Sequence, residues 1–291
     1  MTAQARARLQ IVVAAILWSL SGFFSKALTE PTALGVNEPH LSVWQIAFYR
    51  TLFAGLFLVP TLPGTPFRPR PLVGIMMACF AFLNISFMTA MVHGTAANAI
   101  LLQYTAPAWL LLAGLVVFKE SIDRRGVIVL GGGLGGITLI LVGNWAGDRA
   151  LAITAALASG VAYAAVLICL RLLKDQPANW LTVLNLMGSA LVLLPVILFE
   201  SLPTVKQLVW LALFGCLQFG LPYWLMARAL HHVSALEAGL LTLLEPALNP
   251  VWAFLVAPAT ERPTQWTLFG GAMIGSLAIR YWPARKASQV A

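Results

Sequence analysis

Apolar residues along this chain come in long blocks separated by short polar connections, and the pattern repeats to the end of the sequence. The blocks fall at 9–28, 41–60, 71–92, 95–118, 126–143, 150–170, 178–199, 207–229, 235–256 and 263–282. A transmembrane helix needs about 17–25 mostly apolar residues. The pattern therefore predicts ten spanning helices and an all-α polytopic membrane protein. The longest connection is the dozen residues around TEPTALGVNEPH, so no soluble domain fits between spans. One block breaks its own rule. Its centre, LLTLLEPALNP, places Glu245, Asn249, Pro246 and Pro250 where hydrocarbon is expected. Each proline removes a backbone donor and disturbs a helix, so this ninth span is expected to break where a cavity lies.

Composition agrees with the pattern. The chain is 60% hydrophobic and 10% charged, with mean hydropathy +0.85, whereas soluble domains are about a quarter charged. The first block is read as a span, not a cleaved leader, because it is longer than a usual signal core and carries Trp18, Ser19 and Ser21. Cys79, Cys169 and Cys216 fall inside spans and read as small packing residues.

The net charge of +8 is unevenly placed. With the N-terminus cytoplasmic, thirteen basic residues fall on the inner side. Four (Lys26, Arg149, Lys206 and Arg262) fall outside, and Arg50 alone lies in mid-span. That asymmetry is the positive-inside bias. It predicts cytoplasmic termini in an inner (plasma) membrane and points away from nucleic acid as a partner.

The chain also repeats itself. At an offset of 139, His93 meets His232, Ala96 meets Ala235, Pro107 meets Pro246, and Gly132/Gly136 meet Gly271/Gly275. Nearer the start of each copy, Trp18 and Lys26 meet Tyr163 and Arg171 at an offset of 145. Two copies of five spans, 1–146 and 147–291, must enter the membrane from opposite sides. Such inverted repeats serve alternating access, in which exchanged conformations of the halves expose one midplane site to each side in turn.

Several segments carry a family resemblance: WSLSGFFSK in the first span, FYRTLFAGL in the second, AILLQYTAPAWLLLAG in the fourth, and GLLTLLEPALNPVWAFL followed by Glu261 and FGGAMIGSLAI near the end. In their order and doubling they resemble the drug/metabolite transporter superfamily, EamA type, over residues 9–282. Length and aromatic content are similar to its YddG-type exporters of aromatic amino acids and methionine. The resemblance implies a central cavity lined by spans one, three, four, six, eight and nine.

Candidate residues follow. A midplane carboxylate costs roughly 3 kcal/mol by insertion scales and should face the bundle interior or a wet cavity. Glu245 is then either a substrate-amine or proton site, or a carboxyl bonding backbone freed by the break; Asn249, one turn on, shares either role. Pro107, Pro246 and Pro250 are the helix-break or gating positions. Arg50 is a fixed structural cation or a partner for a substrate carboxylate. The resemblance places Trp18, Phe80, Tyr104, Tyr163, Tyr223 and Trp224 on cavity spans, with Asn84, Asn98, Gln103 and Gln218 as cavity or interhelical amides. Trp44, Trp145, Trp180, Trp210, Trp266 and Trp282 lie near span ends, as interface anchors do. The glycine faces permit close helix approach within a half or between monomers. A monomer is expected, with those faces the surface for a homodimer if one forms.

No phosphate loop, catalytic constellation or metal-ligand spacing occurs in the sequence, so neither enzyme activity nor a cofactor is expected. The substrate predicted is a small amphipathic metabolite, foremost an aromatic or thioether amino acid. Nucleotide sugars and organophosphates would require several deep cations, and only Arg50 qualifies. Cysteines placed at Gly64, Asp123 and Asp175 should react with impermeant reagents only from the cytoplasm, and those at Pro31, Gly147 and Thr204 only from outside. Outside labelling at Asp175 would break the inverted repeat.

Overall fold

Helix is the only extended secondary structure among the described residues, which are 2–62, 64, 67–116, 119, 124–144, 149–233 and 235–280 of a computed structural model. Expectations for Trp145, Trp282, Arg285, Lys286, Asp123, Gly147 and the 146/147 boundary lie outside them. Each apolar block coincides with one helix or a broken one. The first comprises α1 (Ala3–Ser19) and α2 (Ser21–Thr29). Then come α3 (Val43–Leu58) and α4 (Pro71–His93). The fourth block divides into α5 (Ala96–Gln103) and α6 (Ala106–Val116). It is followed by α7 (Arg124–Asn144), α8 (Arg149–Leu172) and α9 (Ala178–Ile197). The eighth runs through α10 (Val205–Leu213), a π-helical segment (Phe214–Gly220) and α11 (Leu221–Ala229). The ninth divides into α12 (Ala235–Thr242) and α13 (Leu244–Val256), and α14 (Gln265–Arg280) ends the bundle. Among the described residues, seven stretches are long and apolar enough to cross a membrane: Ala3–Thr29, Val43–Thr61, Pro71–His93, Ala96–Val116, Ala150–Leu172, Ala178–Ile197 and Val205–Ala229.

The connections sort into two ends. At one, Lys26 meets Gly94 and Glu261, and Lys206 donates to the carbonyls of Leu34 and Gly35 at 2.8 and 2.9 Å. Two capping boxes, Ser42/Gln45 and Thr204/Gln207, start α3 and α10 at this end. Each glutamine also reaches across to the other's connection: Gln45 donates to Ser201 O at 2.6 Å, Gln207 to Pro39 O at 2.7 Å. At the opposite end, Arg8 pairs with Glu237 at 2.5 Å and Arg70 with Asp175 at 2.6 Å.

Packing follows the sequence repeat. α4 lies on α8 as α1 lies on α11, and α5 and α6 lie on α8 as α13 lies on α1. The equivalent helices α3 and α9 pack on each other, as do α7 and α14. The glycines of α7 and α14 therefore join the two halves of one chain, a third arrangement beside the two expected. A side chain on Gly270 would meet Gly136 O at 2.6 Å.

The breaks repeat as well. α5 and α12 begin and end 139 residues apart, at Gln103 and Thr242. Pro107 and Pro246 have no N–H to offer those residues four positions back. Both sit in the first turn of the next helix, where a missing donor costs little. Pro250 differs from expectation, because α13 continues through it to Val256. Two further irregularities were not among the expected breaks. One is the break at Leu20 between α1 and α2. The other is the π segment, where the Leu221 N–H bonds Cys216 O five back and Pro222 has no donor for Gln218.

The hydrophobic core is lopsided. One cluster fills the Lys26 end, from Phe24 and Leu28 through Ile46, Met88, Met91 and Ile100 to Leu193, Leu211 and Phe214. Towards the opposite end the buried apolar residues divide into three separate clusters. Gly215 fixes the approach of α3 to the π segment, since a Cβ there would meet Arg50 O at 2.6 Å and Ala54 N at 3.0 Å. Backbone atoms cannot step aside cheaply, so Gly215→Val should cost about 1–3 kcal/mol by overpacking. The check is thermal unfolding in detergent, with a clear drop in Tm expected.

Candidate functional site

Two breaks meet inside the bundle, and a third, at Leu20, lies against α13 one to two turns beyond Glu245. At the α5–α6 break, the Tyr104 hydroxyl donates to Glu245 Oε2 at 2.8 Å, and Glu245 lies in the first turn of α13, just beyond the α12–α13 break. A carboxylate in that turn is favoured by the positive end of the helix dipole. α8 crosses close to the same junction at Gly160, where an added Cβ would meet Leu102 O at 2.7 Å and Thr105 Oγ1 at 2.8 Å. The next turn carries Tyr163, which is 37% exposed. Tyr163 and Tyr223 both lie within electrostatic reach of Glu245.

The third break is closed by polar side chains. Gln218 donates to Trp18 O at 2.8 Å, Trp252 to Ser19 Oγ at 2.9 Å, and Asn249 to Ser21 Oγ at 2.5 Å. Freed backbone at membrane depth requires this kind of compensation. An aromatic chain runs outward from it. Trp18 meets Tyr223 edge-on at 5.3 Å, Tyr223 meets Phe219 at 5.5 Å, and Phe219 stacks on Phe80 at 6.2 Å. Beyond Tyr223 and Trp224 a cavity of about 150 Å³ continues towards the end opposite Lys26, lined by Leu58, Thr61, Asn179, Thr182 and Leu230. Enclosing sites for drug-sized ligands are typically about 300–1,000 Å³, so this space is a vestibule rather than a full site.

The structure thus brings Trp18, Phe80, Tyr104, Tyr163, Tyr223, Trp224 and Glu245 into one connected region, with Gln103 half-buried at the end of α5. Pro107 and Pro246 start the half-helices that meet there. The amides divide differently. Asn84 donates to Ala47 O and Ser189 Oγ, Asn98 accepts from Thr267, and Asn249 bonds Ser21, so all three bridge helices. Gln218 bridges through its nitrogen, while its buried Oε1 has no partner.

Arg50 is 3% exposed and held in place. It donates to Asn84 Oδ1, and its guanidinium lies over the rings of Phe219 at 4.4 Å and Phe214 at 5.2 Å. No ion pair joins it to Glu245. The end tryptophans also divide. Trp44 and Trp266 are exposed. Trp180 instead stacks on Phe67, and Trp210 packs against Phe23 and Phe24.

Gly160, Ser19, Ser21 and Trp252 were given no site role by the sequence. A lone glycine or serine in an apolar block carries no periodic signal, although the run Ser19-Leu20-Ser21-Gly22 was the available hint. Tyr104→Phe keeps the ring and deletes only the donor to Glu245. A hydrogen bond to a charged group contributes about 1.5–3 kcal/mol, so unfolding stability in detergent should drop by about that much, and Tm with it, while the fold persists. An unchanged Tm would mean that the bond contributes nothing to the junction.

The comparisons with known proteins converge. The EamA-like transporter family model matches twice, over residues 6–142 and 150–281. An uncharacterized transporter of Archaeoglobus fulgidus is 28% identical over 241 residues, 81% of this chain and 86% of the other. A solved crystal structure of another protein has a TM-score of 0.60 at 18% identity, covering 95% of this chain and 99% of that one, a likeness of fold. The chain belongs to the EamA-like transporter family and is a multi-pass membrane protein that works as a secondary transporter, not an enzyme.

Proposed function

We propose that the protein exports neutral amphipathic amino acids, foremost phenylalanine, tryptophan, tyrosine and methionine, from the cytoplasm across the inner membrane. In this proposal the halves are inverted repeats of five spans each, both termini are cytoplasmic, and the Lys26 end faces outward. The observation that carries it is the Tyr104–Glu245 hydrogen bond at the meeting of two broken helices, beside Trp18, Tyr163 and Tyr223. Rings give an aromatic or thioether side chain stacking and dispersion surface. Glu245, in the first turn of α13, receives the substrate ammonium. The substrate carboxylate is left to Gln103, Gln218 and nearby backbone donors, because Arg50 is already engaged by Asn84 and two rings.

Alternating access is supported by the paired breaks, the exchanged helix contacts and the two matches of the family model. A carrier of multiply charged metabolites is disfavoured, since the two buried cations among the described residues are both engaged: Arg50 by Asn84 and two rings, and Lys26 by Glu261. A drug-like neutral substrate remains the second reading, favoured by the apolar vestibule beside Trp224.

Counterflow of labelled amino acids in proteoliposomes tests the substrate. Aromatic amino acids and methionine should compete with one another, aspartate and lysine should not, and discrimination within the group should be modest because a methylene is worth about 1–3 kcal/mol. Transport of sugar phosphates without neutral amino acids would refute the proposal. Glu245→Gln keeps acceptor capacity without charge and should fold yet transport poorly. Wild-type rates across the physiological pH range would make Glu245 structural.

A further inference from the structure

The most deeply buried ion pair among the described residues lies outside the candidate site. Lys26 and Glu261 have side chains 2% and 1% exposed, with Nζ 2.9 Å from Oε1. Lys26 also donates to Gly94 O at 2.8 Å and lies 3.8 Å from Glu30. The second oxygen of Glu261 accepts the Ala96 N–H at 2.8 Å, in the first turn of α5. One ion pair therefore ties the end of α2, the start of α5 and the connection between α13 and α14.

These are the parts of the bundle that lie beyond the breaks. α2 follows the break at Leu20, α5 precedes the one at Tyr104, and α13 follows the one at Leu243. Beneath the ion pair they meet without spare room: a Cβ on Gly22 would lie 2.6 Å from Asn249 Oδ1 and 3.0 Å from both Ala253 and Ala96. At the opposite end, α1 and α12 are joined by Arg8–Glu237, whose side chains are 48% and 26% exposed. An ion pair open to water contributes little. Among the described ion pairs, the Lys26 end thus holds a dry one and the opposite end a wet one, and the vestibule opens towards the latter.

Resting on the alternating access proposed above, we infer that Lys26–Glu261 is the latch of the outer gate, broken and remade in each transport cycle as α2, α5 and α13 swing about their breaks. A buried ion pair suits this work. The Coulomb attraction in the closed state is largely offset by the lost hydration of both charges. Opening returns that hydration, so closed and open states stay close in free energy. A lone buried charge has no such balance and drives its end open. An apolar pair gains nothing from water and holds its end shut.

Spin labels placed on a cysteine-free background at Ala33 and Ala259, and separately at Lys174 and His231, report distances across the outer and inner ends. Glu261→Gln keeps an acceptor for Ala96 but leaves Lys26 with only the more distant, partly exposed Glu30, so the outer distance should lengthen even without substrate. The double variant Lys26→Met/Glu261→Leu should stay folded with a short outer distance, while counterflow of tryptophan falls roughly tenfold or more as the open state is depopulated. An unchanged outer distance in a folded Glu261→Gln protein, or wild-type counterflow in the double variant, overturns the latch. Failure of alternating access shows differently: tryptophan would then move neither label pair in the wild-type chain.

Discussion

A helix that breaks at membrane depth must satisfy its freed backbone groups from within the protein, and the rest of this structure is arranged around that requirement. Three spans break within the bundle, two of them meeting at Glu245 and the third one to two turns further along α13. Their ends are met by Gln218 on the Trp18 carbonyl, by the serines at 19 and 21 bonding Trp252 and Asn249, and by the first turns of α6 and α13. Donors and acceptors gathered for the backbone also make a polar spot inside an apolar bundle. A carboxylate at Glu245 is tolerable only there, with a helix N-terminus beneath it and the Tyr104 hydroxyl beside it.

The two halves share a sequence pattern but not a conformation. α1–α2 breaks at Leu20 while its counterpart α8 runs unbroken, and the π segment has no equivalent in α4. The core is asymmetric in the same sense, continuous at the Lys26 end and divided at the other. The positions 139 residues before Tyr223, Met226, Ala227 and Leu230, which line the vestibule, are Asn84, Phe87, Met88 and Met91, all buried. One cleft is open and its repeat-related twin is packed shut. That difference is what the alternating access proposed above requires of a carrier in one of two exchangeable states, since similar sequences then occupy both the open and the closed arrangement.

Charge placement reinforces the difference. The wet ion pairs Arg8–Glu237 and Arg70–Asp175 lie on the divided end, whereas the dry pair lies where the core is continuous. Arg50 belongs to neither group. Its guanidinium, over two phenylalanine rings and bonded to Asn84, fastens α3 to α4 and to the π segment. A cation held so closely is a structural tie in this conformation.

Much of the fold was legible in the sequence because a spanning helix is a local property: about twenty apolar residues suffice whatever their neighbours. Helix bounds fell within a few residues of the blocks, and the repeat foretold that α5 and α12 would break at matching places, since proline acts on its own chain. The tertiary structure decided everything that depends on which helices touch. It turned Asn249 towards Ser21 rather than the cavity, engaged Arg50 with rings instead of Glu245, and set the glycines of α7 and α14 between halves. It also buried Lys26 against a glutamate 235 residues away. No period in a nearly uniform apolar sequence records which face of a helix meets protein and which meets lipid, because both are equally apolar; only packing supplies that difference.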